Sequence, residues 1–158
     1  MPTQSDHAGV LIPPPLLFIV PLLLGIWLHA RQPWTILETP ARAMTVLGIA
    51  AVAAGLALDL IAVGAFRRRG TTVLPALRPT SAIVAAGPYR FTRNPMYVGM
   101  AIMYVGFSVV LNTAWPLVFV PLSVLAVDRY VIRREERYLA AKFGSEYDRY
   151  RQTVRRWL

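Results

Sequence analysis

Long apolar stretches alternate along this chain with short basic ones. Four apolar runs stand out: Leu11 to Ala30, Met44 to Phe66, Met96 to Leu111 and Ala114 to Val127. A helix crossing a hydrocarbon core of about 30 Å needs about 20 apolar residues, with roughly 17 to 25 tolerated. The first two runs reach that length. The third and fourth do so only by extending into their flanks, and with just Asn112-Thr113 between them they read as a tight helical hairpin. Residues 1–15 carry no Lys or Arg, and no Ala-x-Ala-like site follows, so the first run is expected to be a retained span rather than a cleaved leader. Pro21 inside it predicts a kink. The fold class expected is all-α: one membrane domain over residues 1–158, a bundle of four spans. Residues 1–66 supply two spans, and residues 67–158 form the other half.

The polar segments have their own pattern. Pro75, Pro79, Pro88 and Pro95 forbid a continuous helix between the second and third runs, and Gly87-Pro88 signals a turn. Asn94-Pro95 reads as a helix start, with Asn94 as cap and Pro95 at the first helical position. After the fourth run, Leu139, Phe143, Tyr147, Tyr150, Val154 and Trp157 recur at steps of three and four, one apolar face of a helix. Gly144 interrupts it, and Ser145-Glu146-Tyr147-Asp148 matches a capping box. The fourth span is therefore expected to run on to Phe143, followed by a short amphipathic helix from about Glu146 to Trp157. A helix from Pro116 to Phe143 is about 42 Å long, which lifts Glu135 and Glu136 just above the cytoplasmic interface.

Composition agrees with a membrane assignment: 56% of the 158 residues are hydrophobic and the mean hydropathy is +0.47. There is no cysteine, hence no disulfide framework or thiolate chemistry. His7 and His29 make no metal-ligand pattern, and no metal is expected. The net charge of +9 raises the question of nucleic acid, but all 17 basic residues flank apolar runs, in the groups Arg31 with Arg42, Arg67 to Arg93, and Arg129 to Arg156. That is juxtamembrane anchoring to anionic lipid headgroups. Orientation by the positive-inside rule puts both termini and the large loop in the cytoplasm, with a bacterial or archaeal inner membrane the expected location. Trp27, Trp34 and Trp115 then fall near the far interface, as an aromatic belt does. Oligomeric state is not legible.

Three features carry candidate chemistry. The segment Gly87 to Gly99 reads Gly-Pro-Tyr-Arg-Phe-Thr-Arg-Asn-Pro-Met-Tyr-Val-Gly. Hydrocarbon offers no water to satisfy such irregular backbone, so it sits at the interface or lines something. Arg90 and Arg93 beside a helix start favour an anion such as a ligand carboxylate, or they simply snorkel at a capped entry. Glu135 and Glu136 point about 100° apart on a helix. One can face a pocket while the other pairs with Arg129 or Arg133, or both belong to a solvated face of mixed charge. Asp59 lies inside the second span, where an ionisable group needs a partner: an arginine or a cationic ligand. Tyr89, Tyr97, Tyr104 and Tyr130 read as ligand-binding hydroxyls or as packed anchors, and Met96, Met100 and Met103 as packing.

Together, Gly70-Thr71-Thr72-Val73-x-Pro75, Gly87-Pro88-Tyr89-Arg90, Arg93-Asn94-Pro95-Met96-Tyr97-x-Gly99, Glu135-Glu136-x-x-Leu139-x-x-x-Phe143-Gly144-x-x-Tyr147-x-x-Tyr150 and the closing Val154-Arg155-Arg156-Trp157 resemble the isoprenylcysteine carboxyl methyltransferase family and its phospholipid methyltransferase relatives. The resemblance runs from about Phe66 to the C-terminus. It implies an S-adenosylmethionine-dependent membrane methyltransferase with a cytosol-facing cofactor pocket and a lipophilic substrate entering from the bilayer. It also implies residue roles. Gly87, Pro88, Tyr89, Arg90, Arg93, Asn94, Pro95, Tyr97, Gly99 and Glu136 would shape the cofactor pocket. Arg133, Arg134, Glu135 and Glu136 would flank the transfer site. One departure stands out: eukaryotic members usually carry histidine where this chain has Asn94, so a role needing imidazole protonation is excluded.

The acceptor stays open. A carboxylate is already ionised at neutral pH and needs no base, whereas an amine must lose a proton, which one of the paired glutamates could take. An NADPH-dependent membrane reductase of the sterol or steroid type is the competing enzyme reading, and a non-catalytic membrane partner is a third.

Overall fold

The computed structural model describes residues 9–39, 41–72 and 80–158, and among them it is all-helical. The helices are α1 (Leu16–Arg31), α2 (Arg42–Arg68), α3 (Pro95–Val110), α4 (Trp115–Ala126), α5 (Arg133–Phe143) and α6 (Ser145–Thr153). A π-helical turn, Val127–Ile132, joins α4 to α5, so that Trp115–Phe143 is one helix of 29 residues. A short 3-10 turn, Gly87–Arg90, precedes α3.

Among the described residues, two helices are long and apolar enough to cross a membrane: α2, with 27 residues, and Trp115–Phe143. At 1.5 Å per residue each is about 40 Å or longer. Helices α1 and α3 have 16 residues each, about 24 Å, short of the hydrocarbon thickness. Of the four spans expected, two meet the length requirement. The outward faces are apolar, with Leu23, Leu47, Leu60, Ile61, Val118 and Leu122 all exposed, as contact with lipid demands.

Glycine sets how closely these helices approach. Gly48 and Gly55 lie on α2, Gly99 and Gly106 on α3, each pair two turns apart and so on one face. A Cβ on Gly55 would sit 2.5 Å from the Gly99 carbonyl oxygen, and one on Gly106 would sit 2.9 Å from that of Gly48. The antiparallel backbones are in contact, the close approach that small residues permit within a bilayer. Gly25 does the same for α1, where a Cβ would meet Pro116 of α4 at 2.7 Å.

At the opposite end from the termini, the turn between α3 and α4 is held by side chains. Asn112, at φ 48°, accepts from Leu37 N at 3.1 Å and donates to Leu37 O at 2.9 Å. Trp115 Nε1 donates to Gln32 O at 2.8 Å, and its ring packs edge-on against Trp34. The tight hairpin of the sequence reading is present.

Three local expectations need correction. Asn94 stands at the α3 N-cap but makes no side-chain cap bond; its Nδ2 donates instead to Arg156 O at 2.9 Å. Ser145 does not cap α6. Gly144, at φ +52°, ends α5 and opens α6 at once, which leaves Ser145 already inside the helix. The terminal helix stops at Thr153 rather than continuing to Trp157, because the chain beyond it extends to pair with residues 92–94. The motif beginning at Gly70 falls partly outside the described residues, and its Thr71 Oγ1 accepts from Ser81 N at 2.9 Å.

Gly55→Val should overpack the α2–α3 seam and destabilise the protein by about 1–3 kcal/mol, read as a lowered melting temperature in detergent. Gly64 has open space around its Cα, so Gly64→Ala should leave that temperature unchanged or raise it. Equal behaviour of the two variants would contradict the close backbone contact.

Candidate active site

Where α2 ends and α3 begins, the end of the bundle opens into a cleft closed from the other side by α5 and α6. Its void, open mouth included, is about 570 Å³. Its lining is aromatic and aliphatic at Phe66, Tyr89, Tyr97, Ile132 and Leu139, and polar at Arg93, Asn94, Glu135, Glu136, Tyr147 and Tyr150.

The loop reaches this position in steps. The turn Gly87–Arg90 starts from Gly87 at φ +60°, a conformation glycine adopts without penalty. It swings Tyr89 inward, edge-on to Phe66 with ring centroids 5.1 Å apart. Tyr150 Oη then donates to Tyr89 O at 2.9 Å. Three residues on, the chain pairs with the C-terminal segment: Arg93 N donates to Arg155 O at 2.9 Å, and Thr92 Oγ1 donates to Arg156 O at 3.0 Å. Loop and C-terminus thus satisfy each other's backbone.

An ion-pair clamp closes the arrangement. Glu136 accepts from Arg93 Nη2 at 2.8 Å and, through both oxygens, from Arg156 Nε at 3.1 Å and Nη2 at 2.5 Å. Its partners are therefore Arg93 and Arg156, not Arg129 or Arg133 as the sequence reading allowed. Arg93 Nη1 also donates to Arg151 O at 3.0 Å, while its Nε is buried without a hydrogen-bond partner among the described residues. Asp128, in the π-helical turn, accepts from Trp157 Nε1 at 3.1 Å and lies 3.5 Å from Arg156 Nη1.

Glu135 is different. Its Oε2 accepts from Tyr97 Oη at 3.1 Å, and the carboxylate lines the cleft. Burial pushes the Tyr147 phenol up to about 12 and the Tyr89 and Tyr150 phenols further up, Tyr150 and Glu135 adding to the rise at Tyr89. All three remain protonated at neutral pH, and Tyr150 donates its proton to the hydrogen bond with Tyr89 O.

Of the residues singled out by sequence, Tyr89, Arg93, Asn94, Tyr97, Glu135 and Glu136 share the cleft. Gly87 and Arg90 are exposed on its outer side, and Pro88 builds the turn. Pro95 is buried at the start of α3, and Gly99 lies in the α2–α3 seam. Arg133 is half-exposed and 3.8 Å from Asp128. Arg134 stacks 4.2 Å over the Tyr130 ring and bonds Gly9 O at 3.1 Å. Neither arginine reaches the cleft. Sequence reasoning missed Asp128 and Arg156, two ends of one network. The available signal was a lone carboxylate at the boundary between the apolar helix and its basic extension.

The sequence pattern of the phospholipid methyltransferase family matches residues 43–146, about two thirds of the chain. The match takes in α2, the Gly87–Gly99 segment and Glu135-Glu136. An uncharacterized protein of Haemophilus influenzae is 38% identical over 63 residues, covering 40% of this chain and all of that protein.

Arg156→Ala removes the bidentate pair and should cost about 1.5–3 kcal/mol. Hydrogen exchange should show protection falling at the Arg93 amide, which bonds Arg155 O, while the α2–α3 seam stays protected. Unchanged protection at Arg93 would mean that the clamp does not hold the segment.

Proposed function

We propose that this chain, which belongs to the phospholipid methyltransferase family, transfers a methyl group from S-adenosylmethionine to a lipophilic acceptor drawn from the bilayer. Membership carries the methyltransferase class with it, and the family match favours that class over a nicotinamide-dependent reductase. The observation that carries the finer reading is the meeting of Tyr97, Glu135 and Arg93 in one cleft at the polar end of an apolar bundle.

The residues present suit the donor's chemistry. S-adenosylmethionine supplies a methyl group on an electrophilic sulfonium. Its methionine end bears a carboxylate and an ammonium, and its other end is a flat purine. Arg93 offers a buried, unpartnered Nε–H for the carboxylate. Glu135 has one oxygen beyond its bond to Tyr97 with which to accept from the ammonium. Phe66, Tyr89 and Leu139 provide an apolar wall against which a purine packs. Glu136 works as a positioning residue, since both its oxygens are committed to arginines.

Catalysis of this kind rests on placement. Holding two reactants in line supplies several kcal/mol through proximity alone. Ile132 and Leu139 keep water from one side of the cleft. Arg129, Arg133 and Arg137 lie on the outer face of the long helix, where they would rest on anionic headgroups at a cytoplasmic surface.

Calorimetric titration of the protein in lipid nanodiscs tests this reading. S-adenosylhomocysteine should bind in the micromolar range, and Glu135→Gln should weaken it about tenfold or more, the worth of a charged hydrogen bond. Tyr97→Ala should weaken it as well. Membranes incubated with radiolabelled donor should yield one labelled lipophilic product. Binding of NADPH without S-adenosylhomocysteine would overturn the proposal.

A further inference from the structure

Glu136 lines a second hollow besides the cleft. Five arginines converge on it: Arg129 from the π-helical turn, Arg133 and Arg137 from α5, Arg151 from α6 and Arg156 from the C-terminal segment. The void, open mouth included, is about 990 Å³. Arg129, Arg133 and Arg137 recur every four residues, the spacing of neighbours on a helix surface.

The acids that meet these arginines are too few to satisfy them. Glu136 is taken by Arg93 and Arg156, and Asp148 by Arg151 at 3.0 Å. Asp128 lies 3.5 Å from Arg156 Nη1 and 3.8 Å from both Arg129 Nε and Arg133 Nε, the last two beyond hydrogen-bond length. Arg137 donates its Nε to Arg133 O. Guanidiniums therefore outnumber carboxylates here, and the forks of Arg129, Arg133 and Arg137 keep donors for an anion with several oxygens, which is the geometry of a phosphate.

The neighbouring surface narrows the choice of anion. Arg156 lines the hollow, and the next residue, Trp157, lines an apolar groove on the flank of the bundle with Ala51 of α2, Val98, Ile102 and Val105 of α3, and Val124 of α4. The groove has a void of about 1010 Å³. From Val98 to Val105 it descends about 10 Å along α3. Asp128 links the two hollows, since it accepts from Trp157 Nε1 and faces Arg129 and Arg133.

We propose that the two hollows form one site for an anionic phospholipid, with its phosphate on the arginines and an acyl chain in the groove beside them. The lipid is a ligand here and not the methyl acceptor, so the site stands whether or not methyl transfer does. Diffuse attraction of exposed arginines to a charged surface asks for no particular lipid. A hollow of converging forks joined to an apolar groove asks for one. A zwitterionic lipid brings its own cation among the guanidiniums, and a soluble phosphate leaves the groove unfilled. The bound lipid braces α5, α6 and the C-terminal segment from outside, the same pieces that the Glu136 clamp joins from within.

Native mass spectrometry of the full chain in neutral detergent, with phosphatidylglycerol and phosphatidylcholine at equal concentration, tests the site. The first lipid retained should be phosphatidylglycerol by about tenfold or more. Arg129→Gln combined with Arg137→Gln, both exposed positions, should cut that preference to about twofold or less. Arg67→Gln combined with Arg68→Gln removes the same charge from the end of α2 and should leave the preference intact. Val105→Trp fills the groove and should lower retention of phosphatidylglycerol about threefold or more. Millimolar inorganic phosphate should not displace the lipid. In hydrogen exchange, adding phosphatidylglycerol should slow the Arg93 amide, which bonds Arg155 O. A wild type without preference, a preference that survives Arg129→Gln with Arg137→Gln or falls equally with Arg67→Gln and Arg68→Gln, retention indifferent to Val105→Trp, or displacement by phosphate would overturn the site. Unchanged exchange at Arg93 would overturn the brace.

Discussion

Glu136 holds together three stretches of chain that the sequence places far apart. Its two oxygens receive Arg93 from the start of α3 and Arg156 from the C-terminal segment. A partly buried carboxylate between two guanidiniums is strongly bound only when its hydrogen bonds are well formed, and here three N–H groups point at two oxygens. The cleft exists because of this junction. Beside it, the Gly87–Arg93 loop is tied to α6 by Tyr150 on Tyr89 O and by Arg93 on Arg151 O, and to the C-terminal segment by the backbone pairing at residues 92–94. Asp128 reinforces the far side by taking both Trp157 and Arg156.

Beneath the clamp, the glycine seam between α2 and α3 fixes the height at which everything else sits. Backbones this close leave little freedom to slide, since each glycine pair meets only in one register. The register sets Phe66, at the end of α2, beside Tyr89, and it sets Asp59 against Gly99. One seam therefore locates both the aromatic lining of the cleft and the Asp59 carboxylate. Along α3 the polar cleft lies at the N-terminus and the apolar hollow between α1 and α3 lies lower down.

Much of this was legible in the pattern of residues. The apolar runs gave the helices, Asn112-Thr113 the hairpin, and Gly144 the break after Phe143. The Gly87–Gly99 segment and Glu135-Glu136 do border one cleft, although nothing in periodicity alone would bring residue 93 to residue 136. The failures share a cause. Asn94 reads locally as a cap and the last helix as reaching Trp157, and in both places a long-range bond decides otherwise: Asn94 bonds Arg156, and Arg155 pairs with Thr92. Arg133 and Arg134, which the family resemblance alone puts beside the transfer site, do not line the cleft, and Arg134 bonds Gly9. The π-helical turn was equally invisible, because no residue type demands one.

That turn explains why two adjacent glutamates have separate roles. Consecutive helical residues are about 100° apart, so Glu135 and Glu136 cannot do the same thing. An inserted residue in a π-turn rotates everything after it relative to everything before it. The turn at Val127–Ile132 therefore sets which face of α5 looks at α3, independently of how α4 packs on α1 and α3. In the resulting orientation Glu136 meets the two arginines, and Glu135 meets a single phenol and the cleft. A saturated carboxylate is a strut, whereas one with an oxygen to spare can respond to a ligand. The division of labour follows from helix geometry and from where the arginines are.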